Sequence, residues 1–153
     1  MSLKDEVELL KQVPLFSDVS PAKLKLLAFT SEIVNFPASR VLFHQGDPGD
    51  AAYVLLSGQA EILIESPSGQ IKIGTIEENQ IVGEIAILCD VVRTATIRTT
   101  RPVKALRITK EQFIRLLAEF PEMSLQIMRM LALRLNTTTA ALSEVRSELN
   151  KLR

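Results

Sequence analysis

The pattern of apolar and polar positions changes texture twice along the chain. Over residues 3–12 the apolar residues Leu3, Val7, Leu10 and Val13 keep the spacing of one helix face and predict a short amphipathic helix. Ser20-Pro21 supplies an N-cap followed by proline at the first helical position, and predicts a second short helix through Phe29. From Glu32 short runs of Val, Ile and Thr alternate with polar residues. They predict strands at 32–36, 40–44, 51–56, 59–65, 70–76, 94–99 and 103–108. Asp47-Pro48-Gly49-Asp50 fits a type II turn with Gly49 at the position of positive φ, and Ser57-Gly58 and Ser66-Pro67-Ser68-Gly69 are hairpin breaks. So many short strands in succession predict an antiparallel barrel or sandwich. After Ile108 the helical period returns. Thr109 with Gln112 makes a capping-box pattern opening a helix to about Phe120, and Pro121 starts a long segment that no later Gly or Pro interrupts. The order is helix, strand, helix, without a linker or an internal repeat.

Composition narrows the chemistry. With 153 residues, 46% of them hydrophobic and 24% charged, the chain suits one folded domain. Eighteen basic residues balance eighteen acidic ones, which argues against binding nucleic acid through excess positive charge. A single cysteine, Cys89, excludes an internal disulfide and any multi-cysteine metal site; a single histidine, His44, excludes histidine clusters. The apolar runs are too short to span a membrane and the start of the chain is too acidic for a signal peptide, so a cytoplasmic location is expected.

One stretch breaks the strand pattern: Ile81-Val-Gly-Glu-Ile-Ala-Ile-Leu-Cys-Asp-Val-Val-Arg-Thr-Ala-Thr96. Glu84 to Leu88 reads as a single helical turn behind Gly83. The N-terminus of such a turn offers unpaired N–H groups to an anion, and glycine allows close approach. A tight loop can return Arg93 to the same point to add a guanidinium, with the Thr94 hydroxyl beside it. Glu84 fits this site only if the ligand also carries hydroxyls; otherwise it serves the helix dipole alone.

Three ordered motifs carry a wider likeness: Gly46-Asp47-x-Gly49-Asp50-x-x-Tyr53 with Gly58, then Gly83-Glu84-x-Ala86-x-Leu88, then Arg93-Thr94-Ala95-Thr96. By these the chain resembles the cyclic nucleotide-binding domains of catabolite-activator-type regulators, protein kinase A regulatory subunits and cyclic nucleotide-gated channels. The resemblance covers about residues 8–140. It implies a mainly β fold with flanking helices, an eight-stranded antiparallel jelly-roll β-barrel in which residues 82–96 form the phosphate-binding cassette. It also implies that Arg93 binds the cyclic phosphate with the N–H groups of Ile85 and Ala86, that Gly83 allows close approach, and that Glu84 accepts from the ribose 2′-hydroxyl. The ligand expected is cAMP or, second, cGMP, since in some relatives a hydroxyl at the place of Thr94 contacts guanine. Val92 and Val82 stand where the family often has proline and an aromatic residue. No acid–base or nucleophile–base pair accompanies the site, so neither catalysis nor a cofactor or metal is expected.

Residues 1–120 are thus expected to form the binding unit and 121–153 a long helix of the same domain. Along that helix Met128, Leu131, Leu135, Thr138, Leu142, Val145, Leu149 and Leu152 keep a heptad seam broken only by Thr138, which predicts a parallel homodimer, with Glu148 and Arg153 at flanking positions. Thr138 is either a tolerated seam residue or, with Thr139 and by resemblance to the catabolite activator, a contact to the base across the dimer. His44 reads as a surface residue, Cys89 as a buried small hydrophobe, and Tyr53 as barrel packing. A chain ending at Arg153 leaves no room for a helix-turn-helix after this helix, so DNA binding by this chain alone is not expected. The alternatives are a sensor portion of a longer regulator, channel or effector enzyme, and an interaction module of the same fold without a ligand.

Overall fold

The computed structural model describes residues 2–152. Helix α1 (Leu3–Lys11), a 3₁₀ turn (Pro14–Phe16) and α2 (Pro21–Thr30) precede the strands. These are β1 (Glu32–Phe36), β2 (Val41–Phe43), β3 (Ala51–Ser57), β4 (Ala60–Ser66), β5 (Gly69–Ile76) and β6 (Ile81–Val82), then, after α3 (Glu84–Leu88), β7 (Thr96–Thr99) and β8 (Val103–Thr109). Helices α4 (Lys110–Glu119) and α5 (Pro121–Lys151) follow. The strands form two antiparallel sheets of four, ordered β1-β8-β3-β6 and β2-β7-β4-β5. Among the described residues no helix is long and apolar enough to cross a membrane.

Strand β3 shows how the core is divided. Ala51 to Leu56 are all buried, so the expected polar alternation is missing. The reason is that both faces are covered. Ala52, Val54 and Leu56 turn toward a cluster built from α1, the 3₁₀ turn, α2, α4 and the start of α5, with Phe16 and Phe113 at its centre. Ala51, Tyr53 and Leu55 turn the other way, onto Ala60, Ile76, Val82 and Ile97 between the sheets. A strand buried on both faces reads as a continuous apolar run.

The helix caps are met in part. Thr109 accepts from the N–H of Gln112, but the Gln112 amide returns to Thr30 of α2 instead of closing a capping box. Ser20 makes no side-chain cap, and Pro21 alone sets the start of α2. The 46–50 turn corrects an expectation: positive φ falls at Gly46 (92°), and Gly49 stays outside that region. Gly49 is required for space, because a Cβ there would lie 2.5 Å from the Cβ of Ala86.

Helix α5 has two halves. Met123 and Ile127 are buried, and Met130 and Leu131 pack at the edge of the same cluster. From Leu135 to Leu152 every residue is exposed, including Leu142, Val145 and Leu149.

Candidate functional site

Two separated stretches of the chain meet at one point. The N–H of Gly46 donates to the carbonyl of Arg93 (2.9 Å), and the N–H of Arg93 donates to the carbonyl of Asp47 (2.8 Å). The 46–50 turn is thereby stitched to the loop after α3, while Gly49 lies against Ala86 within α3. The turn is the backing of the 82–96 segment as well as a connector.

Gly83 caps α3 with φ 91°, a conformation that glycine adopts without strain. A Cβ there would come within 2.7 Å of Arg93 Nη1. The chain returns Arg93 to this spot as its spacing predicted. Nη1 donates to the carbonyl of Gly83 (2.9 Å), and Nη2 donates to the carbonyl of Ala51 (2.6 Å) and to Asp50 Oδ1 (3.3 Å). Asp50 Oδ2 accepts from Arg107 as well (3.2 Å). The guanidinium lies over the Phe43 ring, with Cζ 3.9 Å from its centroid. Arg93 is only 2% exposed, and its Nε is buried with no hydrogen-bond partner among the described residues. Burial draws this guanidinium below its ordinary pKa, with the Asp50 carboxylate opposing. A buried cation with an unfilled donor is suited to an anion.

Glu84 faces the same cavity and is 1% exposed. Its Oε1 accepts from Arg134 Nη1 (2.6 Å), while Arg134 Nη2 donates to the carbonyl of Ile81 (3.1 Å). Burial pushes the Glu84 carboxyl up from its ordinary value, against the pull of Arg134. Arg134 is the cavity residue that sequence reasoning missed: it reaches from α5 to both ends of the Ile81–Glu84 segment. It lies outside the heptad seam and fifty residues from Glu84, so no local pattern joins the two.

The cavity holds about 90 Å³. Ile62, Ile76, Val82 and Ile97 form its apolar wall, and Glu84, Arg93, Thr94 and Arg134 its polar one. Ligand pockets usually hold about 300 Å³ or more, so an occupant of nucleotide size must extend out of it or widen it. A larger cavity of about 410 Å³ between α2 and α4 contains none of the predicted site residues.

Gly83, Glu84, Ile85, Ala86, Arg93 and Thr94 are brought together on this cavity. Thr138 and Thr139 are not: both are exposed on α5, one turn beyond Arg134, and neither lines it. Cys89, expected to be buried, is exposed, because α3 ends there and the chain turns out through Asp90 at φ 52°. His44 is exposed and Tyr53 is buried between the sheets. Val92 is exposed and does not line the cavity, and Arg153 lies outside the described residues. Among the described residues no three His, Cys, Asp or Glu gather into a metal site.

A model of the cyclic nucleotide-binding domain matches residues 33–120. A CRP-like cAMP-activated global transcriptional regulator of Mycobacterium tuberculosis is 30% identical over 139 residues, 90% of this chain and 62% of the regulator. A cAMP-dependent protein kinase regulatory subunit of Emericella nidulans is 35% identical over 108 residues, 71% of this chain but 26% of the subunit. The chain therefore spans less than two thirds of either relative. Among solved structures, the sensor domain of the transcriptional regulator DNR from Pseudomonas aeruginosa superposes with a TM-score of 0.77 at 26% identity, covering 90% of this chain and 93% of that one.

Proposed function

The chain belongs to the cyclic nucleotide-binding domain family, and from that premise we propose that it is a non-enzymatic sensor of cAMP or, second, cGMP. One observation carries the reading: a fully enclosed guanidinium, Arg93, lines the cavity with its Nε donor unfilled. A monoanionic cyclic phosphate supplies the acceptor. The first N–H groups of α3, at Ile85 and Ala86, lack intrahelical acceptors and face the same anion. Glu84 accepts from the ribose 2′-hydroxyl, and Thr94 contacts the base side. Both curated relatives are named for cAMP, which supports that nucleotide first.

The two four-stranded sheets serve as halves of a jelly-roll barrel, with residues 1–120 as the binding unit and 121–153 as its helical arm. The Glu84–Arg134 pair supplies the mechanism. A ribose that engages Glu84 competes with Arg134 for the same carboxylate. Ligand therefore favours a state in which α5 sits differently on the cassette, pivoting near Phe120-Pro121. The exposed seam of α5 supports pairing with a second copy, which would bring Thr138 and Thr139 of each helix near the base across the dimer.

The small volume of the cavity favours one rival, a module of the same fold without a ligand. Calorimetric titration with cAMP and cGMP separates the two. Saturable heat with either nucleotide is expected, and negligible heat with both would favour the rival. For the seam, sedimentation is expected to give a dimer for the full chain and a monomer for a chain ending at Leu135. Equal association states would remove the coiled-coil reading.

A further inference from the structure

The Phe43 ring borders the cavity and is also placed to act on a ligand through Arg93. Hydrogen bonds to Gly83, Ala51 and Asp50 engage the two Nη atoms of Arg93, and so fix the guanidinium within its own plane. They do little to fix its tilt. Phe43 closes one face of that plane, with Cζ 3.9 Å from the ring centroid. The ring is itself held. Phe43 ends β2 in register with Ile97 of β7, and the Tyr53 ring stands 6.1 Å away. A Cβ on Gly83 would meet both Arg93 Nη1 and the Phe43 ring, so the cassette glycine, the arginine and the phenylalanine form one tight stack. Among the described residues the only carboxylate bonded to Arg93 is that of Asp50, whose side chain is 67% exposed and 3.3 Å away. The desolvated aromatic face adds to the compensation that this hydrated carboxylate gives the buried cation, from a direction the carboxylate does not cover.

We infer that Phe43 is a positioning residue for anion binding, holding the Arg93 guanidinium in the plane that presents its free Nε before the ligand arrives. This rests on the sensor reading above. Pre-set geometry lowers the ordering cost of binding, so the effect appears in affinity. Packing between the sheets is the alternative role, since Phe43 also borders that cluster.

The experiment is calorimetric titration of the full chain with cAMP for wild type, Phe43→Leu and Phe43→Tyr, well below each melting temperature. Phe43→Leu is expected to bind about tenfold more weakly, while Phe43→Tyr, which keeps the aromatic face, stays within about twofold of wild type. In wild type alone, the Nε–H proton of Arg93 is expected upfield of ordinary arginine signals through the ring current of Phe43, and it should shift on saturation with cAMP. That readout needs no folded variant. Wild-type binding that Phe43→Leu leaves unchanged overturns the inference alone, as does equal loss in the Leu and Tyr variants or an ordinary Nε–H position. A wild type that binds neither cAMP nor cGMP overturns the sensor reading and this inference together.

Discussion

Replacing Arg93 with alanine is expected to weaken cAMP binding by about 3–5 kcal/mol, two to four orders of magnitude, while the two sheets remain folded. Charge-assisted hydrogen bonds in sheltered sites contribute about 1.5–3 kcal/mol each, and a guanidinium offers a cyclic phosphate more than one. Stability responds less. The carbonyls of Gly83 and Ala51 lose a donor, at a cost of about 1–3 kcal/mol, but a buried charge is removed with it and offsets part of that cost. Parallel calorimetry and thermal denaturation read the two quantities separately. An affinity within about threefold of wild type would take Arg93 out of the site and leave the cassette without its anion partner.

The largest effect on stability is expected at a residue far from the ligand, Gly58. It joins β3 to β4 with φ 97°, and a Cβ there would lie 2.2 Å from the carbonyl oxygen of Pro102 and 2.9 Å from Val103 Cα. Both obstacles are backbone, and the loop that carries them is tied down. The N–H groups of Thr100 and Arg101 both donate to the carbonyl of Gln59 (2.9 and 3.3 Å). Gly58→Ala therefore combines a left-handed backbone cost of about 1–2 kcal/mol with the cost of moving packed main chain. About 3 kcal/mol is expected in all, lowering the melting temperature by roughly 6–12 °C. Gly69→Ala is the control. Its φ is 109°, yet no heavy atom lies within 4 Å of the added carbon among the described residues, so only the backbone cost of about 1–2 kcal/mol applies. Equal losses in urea denaturation would show that sterics at Gly58 do not matter.

Much of the fold was legible because its signals are local. Proline at the first position of α2 and α5, the threonine cap of α4 and the turn residues between β4 and β5 act within a few residues of themselves, and those elements appear where expected. Strand β6 was not legible. Ile81 and Val82 are too short to show a period, and they become a strand only by pairing with Val54 and Tyr53 of β3. Gly49 was read through the backbone when its constraint is steric, and the Ala86 methyl that imposes it is a long-range neighbour. The same division runs through the site. The Gly83-Glu84 turn and the return of Arg93 follow from one sixteen-residue stretch. Arg134 depends on how α5 lies against the Ile81–Glu84 segment, which no spacing within the helix encodes. Cys89 was misjudged because its apolar neighbours suggested a buried run, whereas α3 stops after five residues and the following turn leads outward.

The chain contains one tyrosine and no tryptophan, so emission excited beyond the phenylalanine absorption band arises from a single ring. That ring, Tyr53, is 7% exposed and stands 6.1 Å from the phenylalanine that covers Arg93. Quenching and spectral shifts depend on the dipoles and collisions around one chromophore in one environment. If the sensor reading holds, the emission of the unlabelled protein is expected to change on titration with cAMP, reporting occupancy in real time.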